Sequence, residues 1–356
     1  MKHNWFVDKV ISQKEPISIP KALKLRNKEV YKLDWNEATI PPSKRVINRI
    51  IKFLKAKNNL NWYADPEANE LRQVLSKYLK VRTNKILITN GSNQALELIC
   101  GAYIENGDEV IIPIPTFSTF KIWPVSKGAK LVEIDYNIKS ELDFNLVRKN
   151  INSKTKMIYL INPYIITHKQ ENIKKLAKEN PNMIILIDEA YKDYYGKSSL
   201  NLINKYKNII VTRSFSKAFM LAGGRLGYII ANENAINFIS KLRYLNSVNA
   251  IAHLAGIESI KDLKYINQYV KEVNHSMNLF YKALVKLNFE VIPTEAGFLL
   301  FRHKTINPRT IQDKLEKKNI FVKYPLDDIP GYLRMNIPDI NQTKKLIKHF
   351  INSFKT

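Results

Sequence analysis

The sequence of 356 residues contains little cysteine and no long apolar run. Its single cysteine, Cys100, excludes an intramolecular disulfide and is typical of a protein from a reducing compartment. Since it lies in an apolar run, we expect a buried thiol on a helix. No apolar stretch approaches the roughly 20 residues that cross a bilayer, and the first residues lack the apolar segment of a secretory signal. The sequence therefore predicts a cytoplasmic protein with no membrane span, and it suggests no metal site.

Acidic residues are also scarce, since 57 Lys and Arg stand against 32 Asp and Glu, which gives a formal net charge of +25. Such a charge is typical either of a protein that binds nucleic acid or a membrane surface, or of a solvated basic surface. The basic residues are dispersed over helical segments, without a nucleic-acid motif or interleaved aromatic residues. We therefore expect no nucleic-acid partner, although the surface could attract small anionic substrates.

Strands and helices alternate along most of the chain. Apolar, β-rich runs predict strands at 86–89, 109–113, 130–135, 156–161, 183–188, 208–214 and 227–231. Helices are predicted near 43–57, 67–80, 92–103, 169–179, 232–245 or beyond, and 265–287. Continuous apolar strands that alternate with helices indicate an α/β fold with a mostly parallel sheet covered on both faces.

The end of the sequence predicts a second, smaller unit. Short β-rich runs at 298–302, 320–323 and 332–337 follow the last long helix and indicate an α+β domain. We expect residues 41–250 to form the large domain and 251–356 the small one. The irregular N-terminal segment, 1–40, is expected to join the small domain.

Polar residues end several of the predicted strands, namely Asn90, Asn162, Asp188 and Ser214. The carboxyl ends of parallel strands meet at one edge of a sheet, and α/β proteins bind their ligands there. We therefore expect these side chains to lie close to a common ligand site.

The segment 212–228 places Lys217 after two serines and before a Gly-Gly-Arg sequence. A lysine amine can form an imine with an aldehyde cofactor. Ser214, Ser216 and Arg225 could bind one phosphate, because an arginine gives forked, charge-assisted hydrogen bonds. Taken alone, the segment is also compatible with a loop that carries an ordinary surface lysine.

Two further turns carry candidate ligand groups. Asp188 and Tyr191 follow an apolar strand, where the carboxylate could pair with a protonated pyridine nitrogen and the hydroxyl with the ring's phenolic oxygen. The turn 90–94 opens a helix whose first backbone N–H groups form an anion site. The alternatives are solvated acids at the strand end and an ordinary helix cap at Ser92 or Asn93.

Together and in this order, these segments resemble the class I and II aminotransferases, pyridoxal-phosphate enzymes of fold type I, and among them the histidinol-phosphate aminotransferase-like group. The resemblance covers nearly the whole chain. It rests on the segments 33–37, 62–66, 91–92, 115–117, 188–191, 212–228 and 332–336. The joint occurrence of these motifs is much more specific than any one of them.

The resemblance implies a role for each matching residue. Lys217 would hold the cofactor as a Schiff base and move the proton at Cα. Asp188 would pair with the pyridine nitrogen, Tyr191 and Asn162 would bind the phenolic oxygen, and Phe117 would stack on the ring. The residues implied for the cofactor phosphate are Gly91, Ser92, Asn93, Ser214, Ser216 and Arg225, with Tyr63 reaching it from the other subunit of a homodimer.

The resemblance also implies a substrate site for a small anionic molecule. Arg334 would bind the substrate carboxylate in a fork, with Lys323 and Asn36 beside it. Lys323 stands where the histidinol-phosphate enzymes have an arginine, and Gly297 replaces a frequent asparagine. Phe117 lacks the hydroxyl of a common tyrosine. Because these differences gather around the substrate, we do not expect histidine biosynthesis.

The family's Asn-Pro-Asn-Asn-Pro-Thr-Gly stretch is altered here to Asn-Pro-Tyr-Ile-Ile-Thr-His, at 162–168. If the first Asn-Pro is kept in register, Ile165 replaces the cofactor-binding asparagine. If the loop is shortened, Asn162 is that asparagine, and the spacing to Asp188 favours this register. We expect His168 to be a solvated loop residue.

Three functions are compatible with these residues. The preferred one transfers an amino group from an amino acid, expected to be glutamate, to a small keto or aldehyde acceptor that could be phosphorylated. The alternative is decarboxylation of serine or threonine phosphate, with Arg334 gripping the phosphate. A lesser alternative is a non-catalytic descendant, which the altered loop suggests and the intact set of Lys217, Asp188, Tyr191 and Arg225 opposes.

Overall fold

A computed structural model describes residues 29–57 and 59–354. The first part of the predicted N-terminal segment, up to residue 28, lies outside the described residues. The strands are β1 (Tyr31–Lys32), β2 (Ile86–Thr89), β3 (Glu109–Ile114), β4 (Lys130–Asp135), β5 (Thr155–Ile161), β6 (Ile184–Asp188), β7 (Ile209–Ser214), β8 (Gly227–Ile230), β9 (Phe289–Pro293), β10 (Phe298–His303), β11 (Ile320–Phe321) and β12 (Leu333–Asn336).

Helices separate these strands. They are α1 (Lys44–Lys55), α2 (Asn69–Leu79), α3 (Gly91–Tyr103), α4 (Ile122–Ser126), α5 (Phe144–Lys149), α6 (Gln170–Glu179), α7 (Glu233–Ser240), α8 (Ala250–Ile260), α9 (Leu263–Lys286), α10 (Pro308–Glu316) and α11 (Ile340–Phe354). Among the described residues, none of these helices combines the length and apolar character that a bilayer span requires. The predicted burial of Cys100 is confirmed.

The central sheet contains seven strands in the order β2-β8-β7-β6-β5-β3-β4. All neighbours pair in parallel except β8, which is antiparallel to both β2 and β7. Successive residues of β6 face opposite sides, so Leu186 joins one apolar cluster while Ile185 and Ile187 join the other. Both faces are therefore buried, which confirms the predicted α/β fold with a mostly parallel sheet.

The C-terminal part of the chain forms a second sheet. In it, β10 lies between β9 and β12 with antiparallel pairing, and α9 packs against β9 and α11. The short strand β1 pairs in parallel with β11, so that Tyr31 lies opposite Ile320. Residues 33–37 then lead from this unit towards the central sheet. The domain boundaries at 40 and 250 stay a prediction.

The helix predicted near 232–245 or beyond is wrong in its extent. The helix α7 ends at Ser240, and a separate helix, α8, begins at Ala250. Asn246 adopts a left-handed conformation (φ +60°), and the Asn249 side chain accepts a hydrogen bond from the first turn of α8. An asparagine in each of these positions favours a break followed by a new helix.

Candidate active site

Three adjacent strands bring the predicted site residues to one edge of the sheet. β6 lies between β5 and β7, and the register places Asp188 opposite Ile161 on one side and Thr212 on the other. Asn162 follows β5, and its backbone N–H donates to the Asp188 carbonyl at 2.8 Å. Ser214 ends β7 two residues beyond Thr212. This edge is formed by the carboxyl ends of parallel strands, where ligands bind in folds of this class.

Asp188 is buried and accepts three hydrogen bonds. The donors are the Tyr159 hydroxyl (2.9 Å), the Thr212 hydroxyl (3.1 Å) and the Ala190 backbone N–H (3.1 Å). Burial raises the pKa of Asp188, and these hydrogen bonds oppose that rise. The sequence reasoning did not identify Tyr159 or Thr212. A tyrosine within an otherwise apolar strand is the signal that could have indicated a buried hydroxyl with a polar partner.

Lys217 follows β7 and projects into the same region. Its Nζ donates a hydrogen bond to the Trp35 carbonyl (3.0 Å) and lies 5.5 Å from the centre of the Tyr191 ring. Burial lowers the pKa of Lys217 to about 8, and the positive charges of Arg334 and Arg225 act in the same direction. With this pKa, about one amine in five is neutral at pH 7.4, and the neutral form is the one that acts as a nucleophile or base.

An anion cradle lies at the N-terminus of α3. Gly91 has a φ of +71°, and a Cβ added there would lie 2.7 Å from Arg225 Nη2. A Cβ on Gly227 of β8 would lie 2.5 Å from the Ser92 backbone nitrogen. These close approaches place the Arg225 guanidinium against the first turn of a 13-residue helix, where backbone N–H groups and the helix dipole favour an anion.

The serines implied for the phosphate end β7 and continue beyond it. Ser214 and Ser216 are both buried, and the Ser216 backbone N–H donates to Ser214 Oγ at 3.1 Å. Asn93 follows Ser92 in the first turn of α3. The cradle thus combines the start of one helix with the turn that leads from β7 to Lys217.

Asn162 is fully buried in the altered loop. Its Oδ1 accepts a hydrogen bond from the His168 backbone N–H at 2.8 Å, whereas its Nδ2 has no partner. Ile165 is buried in an apolar cluster, so the structure brings the Asn162 amide, rather than position 165, next to Asp188. Its role towards a cofactor stays a prediction.

The expectation that His168 is solvated is wrong in part, because the residue is half-buried. The ring packs edge-on against Phe144 at 5.7 Å between centroids and lines a small cavity. Burial lowers the pKa of His168 to about 4. The hydrogen bond from the His168 backbone to Asn162 closes the loop 162–168 and holds His168 close to the buried end of β5.

The substrate side of the site contains two neighbouring cations. The backbones of Lys323 and Arg334 exchange hydrogen bonds of 2.9 and 3.0 Å as an antiparallel bridge, so their side chains project to the same face. The strand predicted at 320–323 is thus shorter than expected, since β11 ends at Phe321. Burial and the charge of Arg334 lower the pKa of Lys323.

The segment 33–37 lines the same side of the site. The Asp34 carbonyl accepts a hydrogen bond from Arg334 Nη2 (3.1 Å), and Asn36 Nδ2 donates to the Tyr191 hydroxyl (3.1 Å). Asn36 has a φ of +54°, and its buried Oδ1 has no partner. The predicted substrate residues Arg334, Lys323 and Asn36 are therefore gathered on one side of Lys217 and Tyr191.

Two further predicted residues lie on other segments of the chain. Tyr63 is 88% exposed, beside Trp62, which is 70% exposed. Phe117 is half-buried at the start of a short 3-10 turn and packs against the apolar cluster under β3 and β5. Neither position tests the contact with a cofactor that the resemblance implies.

The gathered side chains fit pyridoxal phosphate. The cradle at Gly91 and Arg225 suits its phosphate, the Lys217 amine with its lowered pKa suits its aldehyde, and the buried Asp188 suits its pyridine nitrogen. The buried Asn162 Nδ2 lacks an acceptor, which the phenolic oxygen of this cofactor would supply.

Comparisons with known proteins agree with this chemistry. The family model "Aminotransferase class I and II" matches residues 28–352. A dihydroxyacetone phosphate transaminase from Campylobacter jejuni is 34% identical over 340 residues, which are 92% of this chain and 91% of the relative. A histidinol-phosphate aminotransferase from Clostridium botulinum is 30% identical over 322 residues, 88% of each chain.

The fold also matches solved structures. A histidinol-phosphate aminotransferase from Sinorhizobium meliloti, solved in complex with pyridoxal 5'-phosphate, superposes with a TM-score of 0.84 and 20% identity. That alignment covers 100% of this chain and 98% of the other. The chain belongs to the class I and II aminotransferases and is a pyridoxal-phosphate-dependent aminotransferase of fold type I, similar to the histidinol-phosphate enzymes.

Proposed function

We propose that this aminotransferase takes its amino group from glutamate and transfers it to a small phosphorylated ketone or aldehyde, with dihydroxyacetone phosphate as the first candidate. The observation that carries the proposal is the pair of cations formed by Lys323 and Arg334 on the substrate side. One guanidinium suffices for a carboxylate, whereas a phosphate dianion is better matched by two neighbouring cations. The 34% identity to a dihydroxyacetone phosphate transaminase supports the same acceptor.

The residues divide the chemistry among them. Pyridoxal phosphate, when bound, supplies an electron sink for the carbon that carries the amino group. Ser92, Ser214, Ser216 and Arg225 would hold its phosphate, while the buried Asp188 would keep its nitrogen protonated. Asn162 Nδ2 and the Tyr191 hydroxyl would bind its phenolic oxygen, and Phe117 would lie against its ring.

Lys217 would act on the proton at the substrate Cα. Its lowered pKa, about 8, would leave enough neutral amine to accept that proton near pH 8 and to give it up again. Its Nζ lies near both the Trp35 carbonyl and the face of Tyr191. Small rotations of the side chain could therefore carry the proton from the atom that loses it to the atom that receives it. Arg334 and Lys323 would fix the substrate's anionic group during this transfer.

The protein is further proposed to act as a cytoplasmic homodimer in which Tyr63 reaches the partner's cofactor phosphate. Tyr63, Trp62 and Leu60 are 88%, 70% and 69% exposed, and α1 exposes Ile51 and Leu54 nearby in sequence. Exposed apolar side chains in such number are typical of an interface. Analytical ultracentrifugation tests the dimer. Mixed dimers, with Tyr63→Phe on one subunit and Lys217→Ala on the other, test whether Tyr63 acts across the interface.

The acceptor is tested with purified holoenzyme, glutamate and dihydroxyacetone phosphate, by quantifying 2-oxoglutarate and the aminated product. Lys323→Met should lower kcat/KM for the acceptor about ten-fold, because a hydrogen bond to a charged group is lost, and should leave the reaction with glutamate nearly unchanged. Lys317→Met, at an exposed lysine of the same unit, is the matched control. An equal loss with glutamate, or no amination of any phosphorylated carbonyl compound, would contradict the proposed acceptor.

A further inference from the structure

Tyr164 lies in the altered loop 162–168, and the chemistry above gives it no role. Its side chain is 7% exposed and packs edge-on against Phe298, with ring centroids 5.4 Å apart. The guanidinium carbon of Arg334 lies 5.7 Å from the centre of the same ring, and the Tyr191 ring lies 6.3 Å from that of Tyr164. Tyr164 and Arg334 therefore share one wall of the substrate site.

The protein holds the guanidinium of Arg334 by one hydrogen bond and by packing. Its Nη2 donates to the Asp34 carbonyl at 3.1 Å, and the guanidinium lies over the Phe298 ring that Tyr164 also contacts. The guanidinium is near enough to the Tyr164 hydroxyl for its charge to oppose the rise that burial causes in the pKa of Tyr164. Its Nε is buried without a partner. A buried N–H on a charged group is costly unless a ligand satisfies it, so the arrangement orients Arg334 and leaves guanidinium donors for a bound anion.

The hydroxyl of Tyr164 has its own proton to give. A tyrosine hydroxyl that lies near a guanidinium can still donate its O–H. Burial raises the pKa of Tyr164 although Arg334 acts in the opposite direction, so the hydroxyl remains protonated at neutral pH. An acceptor that binds Arg334 would lie within reach of this second donor.

We propose that the Tyr164 hydroxyl is a second donor to the anionic group of the substrate, next to Arg334. The proposal rests on the proposed function, which supplies the anionic group: the carboxylate of the amino donor or the phosphate of the acceptor. The altered loop 162–168 would thereby contribute a substrate-binding residue, Tyr164.

Tyr164→Phe removes the hydroxyl and keeps the ring. Tyr136→Phe removes another hydroxyl from the lining of the small cavity that Tyr164 also lines, and is the matched control. Each holoenzyme is reacted in single turnovers with glutamate, with serinol phosphate, which is the amine counterpart of dihydroxyacetone phosphate, and with serinol, which has no anionic group. The apparent second-order rate constant and the dissociation constant of the cofactor are measured for each variant.

The Tyr164→Phe variant should lose about ten-fold in the rate constant with both anionic amines and nothing with serinol or in cofactor affinity. The Tyr136→Phe variant should match the wild type throughout. An equal loss with serinol, or no loss with either anionic amine, would overturn the role of Tyr164. A wild-type enzyme that does not prefer serinol phosphate over serinol would refute the phosphorylated acceptor instead, while a loss confined to glutamate would still support Tyr164.

Discussion

A buried ion pair between Glu189 and Arg213 joins the two segments that carry the cofactor-binding residues. Both side chains are almost inaccessible, at 0% and 4% exposure. Glu189 accepts hydrogen bonds from Arg213 Nε (3.0 Å) and Nη2 (2.8 Å), from the Ser198 hydroxyl (2.8 Å) and from the Ser199 backbone N–H (2.5 Å). Glu189 follows Asp188, and Arg213 precedes Ser214. The ion pair therefore holds the end of β6, which carries Asp188, against the end of β7, which carries Ser214.

Glu189→Gln should destabilise the protein by about 3–5 kcal/mol, because it leaves a buried arginine without its countercharge. Urea unfolding of the holoenzyme, followed by circular dichroism, measures this loss. The matched control is Glu171→Gln, which breaks an exposed pair with Lys174 (3.7 Å) and should leave the stability nearly unchanged, because solvent screens such a pair. Combining Glu189→Met with Arg213→Met should restore much of the stability. A loss in Glu189→Gln no larger than in the control would refute this reasoning.

Three further perturbations address the cradle, the lysine and the altered loop. Gly227→Ala should weaken cofactor binding at least ten-fold, because the added Cβ would lie 2.5 Å from the Ser92 nitrogen. Gly223→Ala is the control, because a Cβ there meets nothing within 4 Å, and it should leave cofactor binding unchanged. Cofactor titration compares the two variants. The rate at which Lys217 captures pyridoxal phosphate in the cofactor-free enzyme should rise with pH and level off above about 8, because only the neutral amine reacts; a rise that continues towards pH 10 would contradict the lowered pKa. Between pH 6.5 and about 4 the folded protein binds fewer protons at His168 than the unfolded chain does. The free energy of unfolding should therefore fall by up to about 3 kcal/mol as the pH decreases through this range. The His168→Gln variant should lose less stability in acid unfolding.

The sequence predicted the central sheet well, because most of its strands are nearly continuous apolar runs bounded by polar residues. The run 183–188, for example, contains β6. The break between α7 and α8 was missed because the apolar pattern continues into residues 241–245, and the left-handed Asn246 can be recognised only from the backbone. Periodicity indicates which residues could be helical, but single residues at a chain reversal decide where a helix ends.

The candidate site was predictable where it depends on strand ends and was not where it depends on contacts between distant segments. Asp188 and Asn162 could be placed together because parallel strands share an edge. The bond from Tyr159 to Asp188 and the contact between Tyr164 and Arg334 join residues far apart in the sequence. The packing of the loop residue His168 likewise depends on Phe144, which lies in the helix α5.

The central claim is that Lys217 holds pyridoxal phosphate and acts in amino transfer. Its most direct test is borohydride reduction of the holoenzyme, which fixes the cofactor to the lysine that binds it, followed by peptide mass spectrometry with and without prior reaction with glutamate. We expect the label on Lys217, and we expect it to be lost when glutamate has first converted the cofactor to its amine form. Label on Lys323 or another lysine, or labelling of Lys217 that glutamate does not change, would contradict the account.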